Sequence, residues 1–213
     1  GNPANPNGYK TSYVWEQVWQ RDSFLDIVGN FLALVIEKTR KPDGKTVEEE
    51  KLVFPRFHQL DVVRKLEASA RQDGPGRSYL IQHSAGSGKS NSIAWIAHRL
   101  SNLHSADDKK VFHSVVVVTD RRVLDTQLRN VVSQFEQTAG VIARIENNSA
   151  ELADALTKGT PIIVTTLQKF PFVTEKIGQR ALALQDEEVK RRGAPASLEQ
   201  PVPVAERPQT VVI

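Results

Sequence analysis

From Ser78 onward, short β-branched runs alternate with stretches of helical period, and this alternation constrains the fold more than any other feature of the chain. "SYLIQHS" is followed by Ile93, Ile96 or Ala97, Leu100 and Leu103 at helical spacing. "SVVVVTD" is followed by Leu124, Leu128, Val131 and Phe135. A short strand at "GVIARIE", a helix from Ser149 to Lys158 stopped by Gly159, the strand "PIIVTT" and a last run "TVVI" continue the pattern. Buried strands separated by amphipathic helices read as βαβ units, hence an α/β fold with a mostly parallel sheet.

Upstream the pattern changes. Residues 1–12, "GNPANPNGYKTS", have no periodicity and read as a loose lead-in. Phe24, Ile27, Val28, Phe31, Leu32 and Val35 fall on one helical face, with Asp22 or Ser23 placed to cap it and an end near "KPDGKT". "FPRFHQLDVVRKLEASA" predicts a second helix starting near Pro55, with Leu60, Val63 and Leu66 inward, stopped by "DGPG". The expected organisation is a lead-in and helical connector over 1–52 and a main domain over 53–213. Within the latter, "EEVKRRGAPASLEQPVPVAERPQ" has the charge and proline content of an exposed insertion.

A chain of 213 residues with 39% hydrophobic and 25% charged residues has enough apolar side chain for one main core. Its net charge of +3 permits contact with nucleic acid without establishing it. With no cysteine there is no disulfide or thiolate-metal framework, which suits a reducing cytosol, and the expected location is cytoplasmic. The five histidines lack zinc spacing. The apolar run from Phe24 to Ile36 is broken by Asp26 and Asn30 and is shorter than the about 20 residues a membrane helix needs, so no membrane partner is expected. A start at Gly1 and the absence of methionine suggest a piece of a longer protein.

"QHSAGSGKSNS" lies between the first predicted strand and the first helix of the alternating region. Backbone N–H groups of a Gly86–Ser90 turn, with the positive end of a helix behind them, form a phosphate cradle, and Gly86 and Gly88 let a backbone come close to it. In such a loop Lys89 meets the β and γ phosphates of a nucleotide, Ser90 offers its hydroxyl to Mg²⁺, and Ser87 contributes its N–H. The competing reading is an ordinary Gly/Ser turn; the strand and helix on either side favour the phosphate site. His83 stands where GxxxxGK[ST] has its first Gly, and its chemistry supplies no phosphate role.

Two further segments, "VVVVTDRRVLDTQL" and "IIVTTLQKF", put Thr, Arg, Gln and Lys just past the C-terminal ends of buried strands, where open α/β sheets bind ligands. Hydroxyls, amides and cations there suit a sugar-phosphate backbone and carry no base code. Arg56-Phe57-His58-Gln59 resembles the adenine-reading element that precedes the phosphate loop in superfamily 2 helicases, and the Gln59 amide can both donate to and accept from adenine.

The ordered series "FPRFHQLDVVRKL", "YLIQHSAGSGKSNS", "VVVVTDRRVLDTQL" and "IIVTTLQKFPFV" resembles the first RecA-like motor domain of the R subunit of type I restriction enzymes, over about residues 53 to 177. A His before the small residues of the loop is a habit of that family, and the helix around Phe24 to Val35 resembles the connector after its nuclease domain. The resemblance implies a RecA-like P-loop NTPase domain that binds ATP and Mg²⁺ and, in the complete enzyme, drives duplex DNA translocation leading to cleavage. It implies nucleotide contacts at Arg56, Gln59, Gly86, Ser87, Gly88, Lys89 and Ser90, with Lys89 as the catalytic contact and Ser90 on the metal. It places Thr119, Arg121, Thr166, Gln168 and Lys169 in DNA-tracking segments, and it implies modification and specificity subunits as partners. The family's Asp-Glu-Ala-His box would follow a strand like "TVVI", where this sequence stops, so the 213-residue chain alone is expected to be hydrolytically incompetent. "PDGKTVEEEK" imitates a nuclease signature in Pro42, Asp43, Glu49 and Lys51. It reads instead as a turn and solvated face, with no neighbouring strands on which carboxylates could converge. Another superfamily 2 helicase or remodeller, and a non-catalytic nucleic-acid-binding module of the same fold, are the alternatives.

Overall fold

The computed structural model describes residues 5–40, 44, 46–120, 122–135, 140–145, 148–173, 176–177 and 210–213, with the backbone only at 37, 38, 40 and 122–127. Arg121, the Pro42-Asp43 pair and the predicted insertion at 187–209 lie outside these residues.

Val115 to Val118 and Ile162 to Thr165 are β-branched runs, which suit strands covered on both faces. They form the centre of a four-stranded parallel sheet made of β3 (Ser114–Thr119), β4 (Ile142–Arg144), β5 (Ile162–Thr166) and β6 (Thr210–Val212), in the order β4-β5-β3-β6. Four helices accompany it: α2 (Phe57–Asp73), α3 (Lys89–Ser101), α4 (Arg122–Gln134) and α5 (Ser149–Thr157). On α3 the expected face is inward, with Ile96, Ala97 and Leu100 buried around Trp95. Among the described side chains of α4, Leu128 and Val132 are buried and the expected Val131 is half-buried against the same core; Phe135 is buried just past the helix, and the side chain of Leu124 lies outside the described residues. Asn148 caps α5, its Oδ1 accepting from Ala150 N and Glu151 N, and the helix ends before Gly159, whose φ of +65° favours glycine.

Before this unit come a short π-helical turn (Val14–Val18) and α1 (Arg21–Asn30), which starts after Gln20 and not after Asp22 or Ser23. The connector is only partly helical. Val35, expected on the helix, lies in a strand, β1 (Ala33–Arg40), paired antiparallel with β2 (Thr46–Val53). The stretch read as a turn and charged linker therefore does have a neighbouring strand: Glu49 and Lys51 stand on β2, in register with Glu37 and Val35. No group of three or more His, Cys, Asp or Glu that could hold a metal occurs among the described residues.

The connector is built into the main core. Ile27 and Phe31 of α1 and Val35 of β1 belong to the same buried cluster as Leu60, Val63, Trp95, Val115 and Ile162. Trp95 donates its indole N–H to Phe31 O at 2.9 Å, and its ring meets Phe31 and Phe135 at 5.8 and 5.2 Å between centroids. An ionic cluster sits above these rings: Arg99 bonds Asp26 at 2.8 Å and Glu67, while Arg64 bonds Asp26 and Ser23. Both guanidinium groups lie over the Phe31 ring, Arg99 at 4.8 Å from its centroid.

The predicted strand "SYLIQHS" forms no regular secondary structure and pairs with no strand among the described residues. A cleft of about 630 Å³ runs beside it, lined by Tyr79, Ile81, His83, Lys89, Ser92 and Val212 among others. Thr210 to Ile213 line the cleft as well, and β6 pairs with β3 on its other side, so the cleft lies beside what is the edge strand of the sheet among the described residues. Among the described residues no helix is long and apolar enough to cross a membrane.

Candidate nucleotide-binding site

The loop from Ser84 to Gly88 leads the chain from "SYLIQHS" into α3, whose first residues are Lys89 and Ser90. Gly86 and Gly88 have φ of +73° and +79°, the left-handed region that side-chain-bearing residues avoid. These two torsions make the GSG sequence necessary to the shape of the loop. At Gly88 a second constraint applies: an added Cβ would stand 2.5 Å from Gln59 Nε2.

Ser90 is exposed in the first turn of α3, where free N–H groups and the helix dipole favour an anion. Lys89 is exposed too. Its ammonium donates to the carbonyls of Ser84 at 2.9 Å and His83 at 3.2 Å, so it bends back over its own loop. Three polar atoms near the loop are buried without a hydrogen-bond partner: Ser87 Oγ, Ser92 Oγ and His83 Nδ1. Unsatisfied buried polar atoms are scarce in folded proteins, and a cluster of them beside a Gly-rich turn is chemistry that suits a polar ligand. Glycine-shaped turn, cation, hydroxyl and helix end together fit a nucleotide phosphate chain with its Mg²⁺.

Gln59 lies in the same assembly, in a different posture from the one expected of a base reader. It is buried, and both ends of its amide are engaged within the protein. Oε1 accepts from Arg56 N at 2.8 Å, closing the first turn of α2, and Nε2 donates to Gly88 O at 2.9 Å. Arg56 is the cap residue of that helix. His58 Nε2 donates to Ser87 O at 2.9 Å. The start of α2 is thereby fastened to the phosphate loop at two successive carbonyls. His58 was not singled out from the sequence. The one signal for it is its place beside Gln59 in "RFHQ".

The candidate DNA segments converge at the C-terminal edge of the sheet. Thr119 and Thr166 are register partners on β3 and β5. Gln168, in the 3-10 turn that follows β5 (Leu167–Lys169), donates to Asp120 O at 2.8 Å and ties the two loops together. Thr166 is buried, the Thr119 hydroxyl is buried without a partner, and Lys169 Nζ bonds Ile145 O. Of the four described residues in this set, Gln168 is the exposed one. A second cavity, about 440 Å³, opens beside Trp95, His98 and Arg99 and includes no residue of the phosphate loop.

A family model described as SWI2/SNF2 ATPase matches residues 58–198, about two thirds of the chain. The chain belongs to the SWI2/SNF2 ATPase family. No curated protein and no solved structure matches it. Membership accounts for the parallel sheet and the loop before α3 as a RecA-like P-loop NTPase domain of superfamily 2, from an ATP-dependent motor of helicase or remodeller type. The SWI2/SNF2 match begins at His58, one residue before Gln59, so the α2 segment that holds the loop belongs to the matched unit.

Proposed function

We propose that this domain is the first RecA-like motor domain of a type I restriction enzyme R subunit, binding Mg·ATP at the Gly86–Ser90 loop and duplex DNA backbone beside the ends of β3 and β5. The observation that carries the ATP site is the loop itself. Two left-handed glycines set Lys89 and Ser90 at the start of α3, beside buried polar atoms that lack partners. Lys89 holds charge on the terminal phosphates, and Ser90 supplies one oxygen to Mg²⁺. Ser90 would hold the metal there, whose charge would offset that of the phosphates. Gln59 supports the loop from α2, its amide oxygen held by the N–H of the cap residue Arg56. A base contact from Gln59 would require its amide to leave Gly88 O.

The assignment to a restriction subunit is supported by the order and wording of the segments from "FPRFHQL" to "LQKFPFV". In that role Thr119, Arg121, Thr166, Gln168 and Lys169 border the DNA track, and modification and specificity subunits choose the site. A second reading, a remodeller working on other cargo, is favoured by the SWI2/SNF2 match. Translocation separates them. The full protein carrying this domain, assembled with modification and specificity subunits, should displace a triplex-forming strand from DNA that bears the complex's recognition site when ATP is added. Displacement that is indifferent to those subunits and to the site would favour the remodeller.

A further inference from the structure

Resting on the reading of Gly86–Ser90 as the phosphate loop, we propose that His58, backed by His83, is a positioning residue that sets the direction of the Gly88 N–H toward bound phosphate. His58 Nε2 lies 2.9 Å from Ser87 O, and a ring nitrogen facing a carbonyl must carry the proton. The peptide between Ser87 and Gly88 is trans, so its N–H points opposite to its C=O. Drawing the Ser87 carbonyl toward α2 therefore turns the Gly88 N–H away from α2. The next peptide is held in the same manner, with Gly88 O on Gln59 Nε2 and the Lys89 N–H directed away from it. Two successive donors are thus aimed by two successive side chains of one helix.

His83 completes the device. Its ring stands edge-on to His58, with centroids 5.0 Å apart and planes at 89°, and fixes the plane in which His58 can donate. Its own carbonyl accepts from Lys89 Nζ. The residue found where a phosphate loop usually has its first glycine thus contacts the loop's lysine through its backbone and the loop's shaping histidine through its ring. Ser87 is 8% exposed, so water competes little for its carbonyl; Gln59 Nε2 also reaches it, at 3.4 Å, and the shorter bond from His58 is the one that sets the aim of that peptide.

Calorimetry with Mg·ATP on the full chain tests this, using three variants. His58→Phe keeps a ring against His83 and removes the donor; it should weaken Mg·ATP about five- to tenfold, the equivalent of one hydrogen bond. His58→Gln places an amide donor at similar reach and should restore most of the affinity. His83→Leu, which removes the edge-on ring, should fall between wild type and His58→Phe. Unchanged affinity in His58→Phe, or an equal loss in His58→Gln, would overturn the proposal. Amide NMR of wild type stands independently of whether His58→Phe folds: on titration with Mg·ATP the Gly88 N–H should move with that of Lys89, and a Gly88 signal that stays in place while Lys89 moves would overturn it. Wild type that binds no Mg·ATP would refute the nucleotide site itself, a result distinct from either failure of the positioning role.

Discussion

Gln59 Nε2 donates to Gly88 O at 2.9 Å, joining the first turn of one helix to the last residue of the loop before another. Because Gly88 is left-handed and an added Cβ would fall 2.5 Å from that same nitrogen, Gly88→Ala strains the backbone and expels the amide together. The torsion alone costs about 1–2 kcal/mol. The variant should melt at a lower temperature and bind Mg·ATP roughly tenfold or more weakly. Thermal melts and calorimetry of the same preparations check both.

Gln59→Ala should act on the loop before it acts on base choice. The substitution removes the Arg56 N bond and the Gly88 O bond, so affinities for ATP and GTP should fall together while their ratio holds. Competitive nucleotide titration measures the ratio. A variant that loses only its preference for adenine would show that the amide leaves Gly88 and reads the base.

Asp26 links α1 to α2 and α3 through Arg64 and Arg99. Burial acts to raise its pKa, but hydrogen bonds from Arg99 and Arg64 outweigh this and hold the carboxyl below its ordinary value of 3.8. A folded value below the unfolded one contributes stability that is fully present above pH 4 or so and is lost as the pH falls through the folded value. Asp26→Asn should cost about 1–3 kcal/mol at neutral pH through weaker bonds to two cations. The gap between wild type and variant should narrow below about pH 4, which denaturant melts across pH can follow.

If the ends of β3 and β5 border a DNA backbone, duplex binding should be indifferent to sequence and fall steeply with salt. Lys169 now bonds Ile145 O; released toward a phosphate it would add about one to the salt slope. Lys169→Glu should weaken binding at low salt, measured by fluorescence anisotropy. Unchanged affinity would remove this residue from the track.

Much of this was legible because it is local. Val115–Val118 and Ile162–Thr165 announce buried parallel strands, and Gly86 and Gly88 announce a turn that only glycine makes easily. The connector was misread where local signals conflict: Leu32 and Val35 keep helical spacing, but Val35, Ile36 and Thr39 are β-branched, and pairing with 46–53 decides for a strand. The exposed glutamates of β2 gave no alternation to reveal it. "SYLIQHS" has strand composition, and no described strand lies hydrogen-bonded beside it. The rest is long-range. Asp26 and Arg99 are 73 residues apart and His58 and Ser87 are 29 apart, separations at which no periodicity reports a contact. The role of His83 was invisible for the same reason, since it is read only against His58.

The central claim is that the loop before α3 holds the phosphates of ATP, and Lys89→Ala tests it most directly. Lys89 Nζ rests on two exposed loop carbonyls, so its removal should leave the melting temperature close to that of wild type. A charge-assisted contact is worth about 1.5–3 kcal/mol, so Mg·ATP affinity should fall by about 10- to 100-fold in calorimetry. Equal affinities for Mg·ATP in wild type and Lys89→Ala would contradict the account.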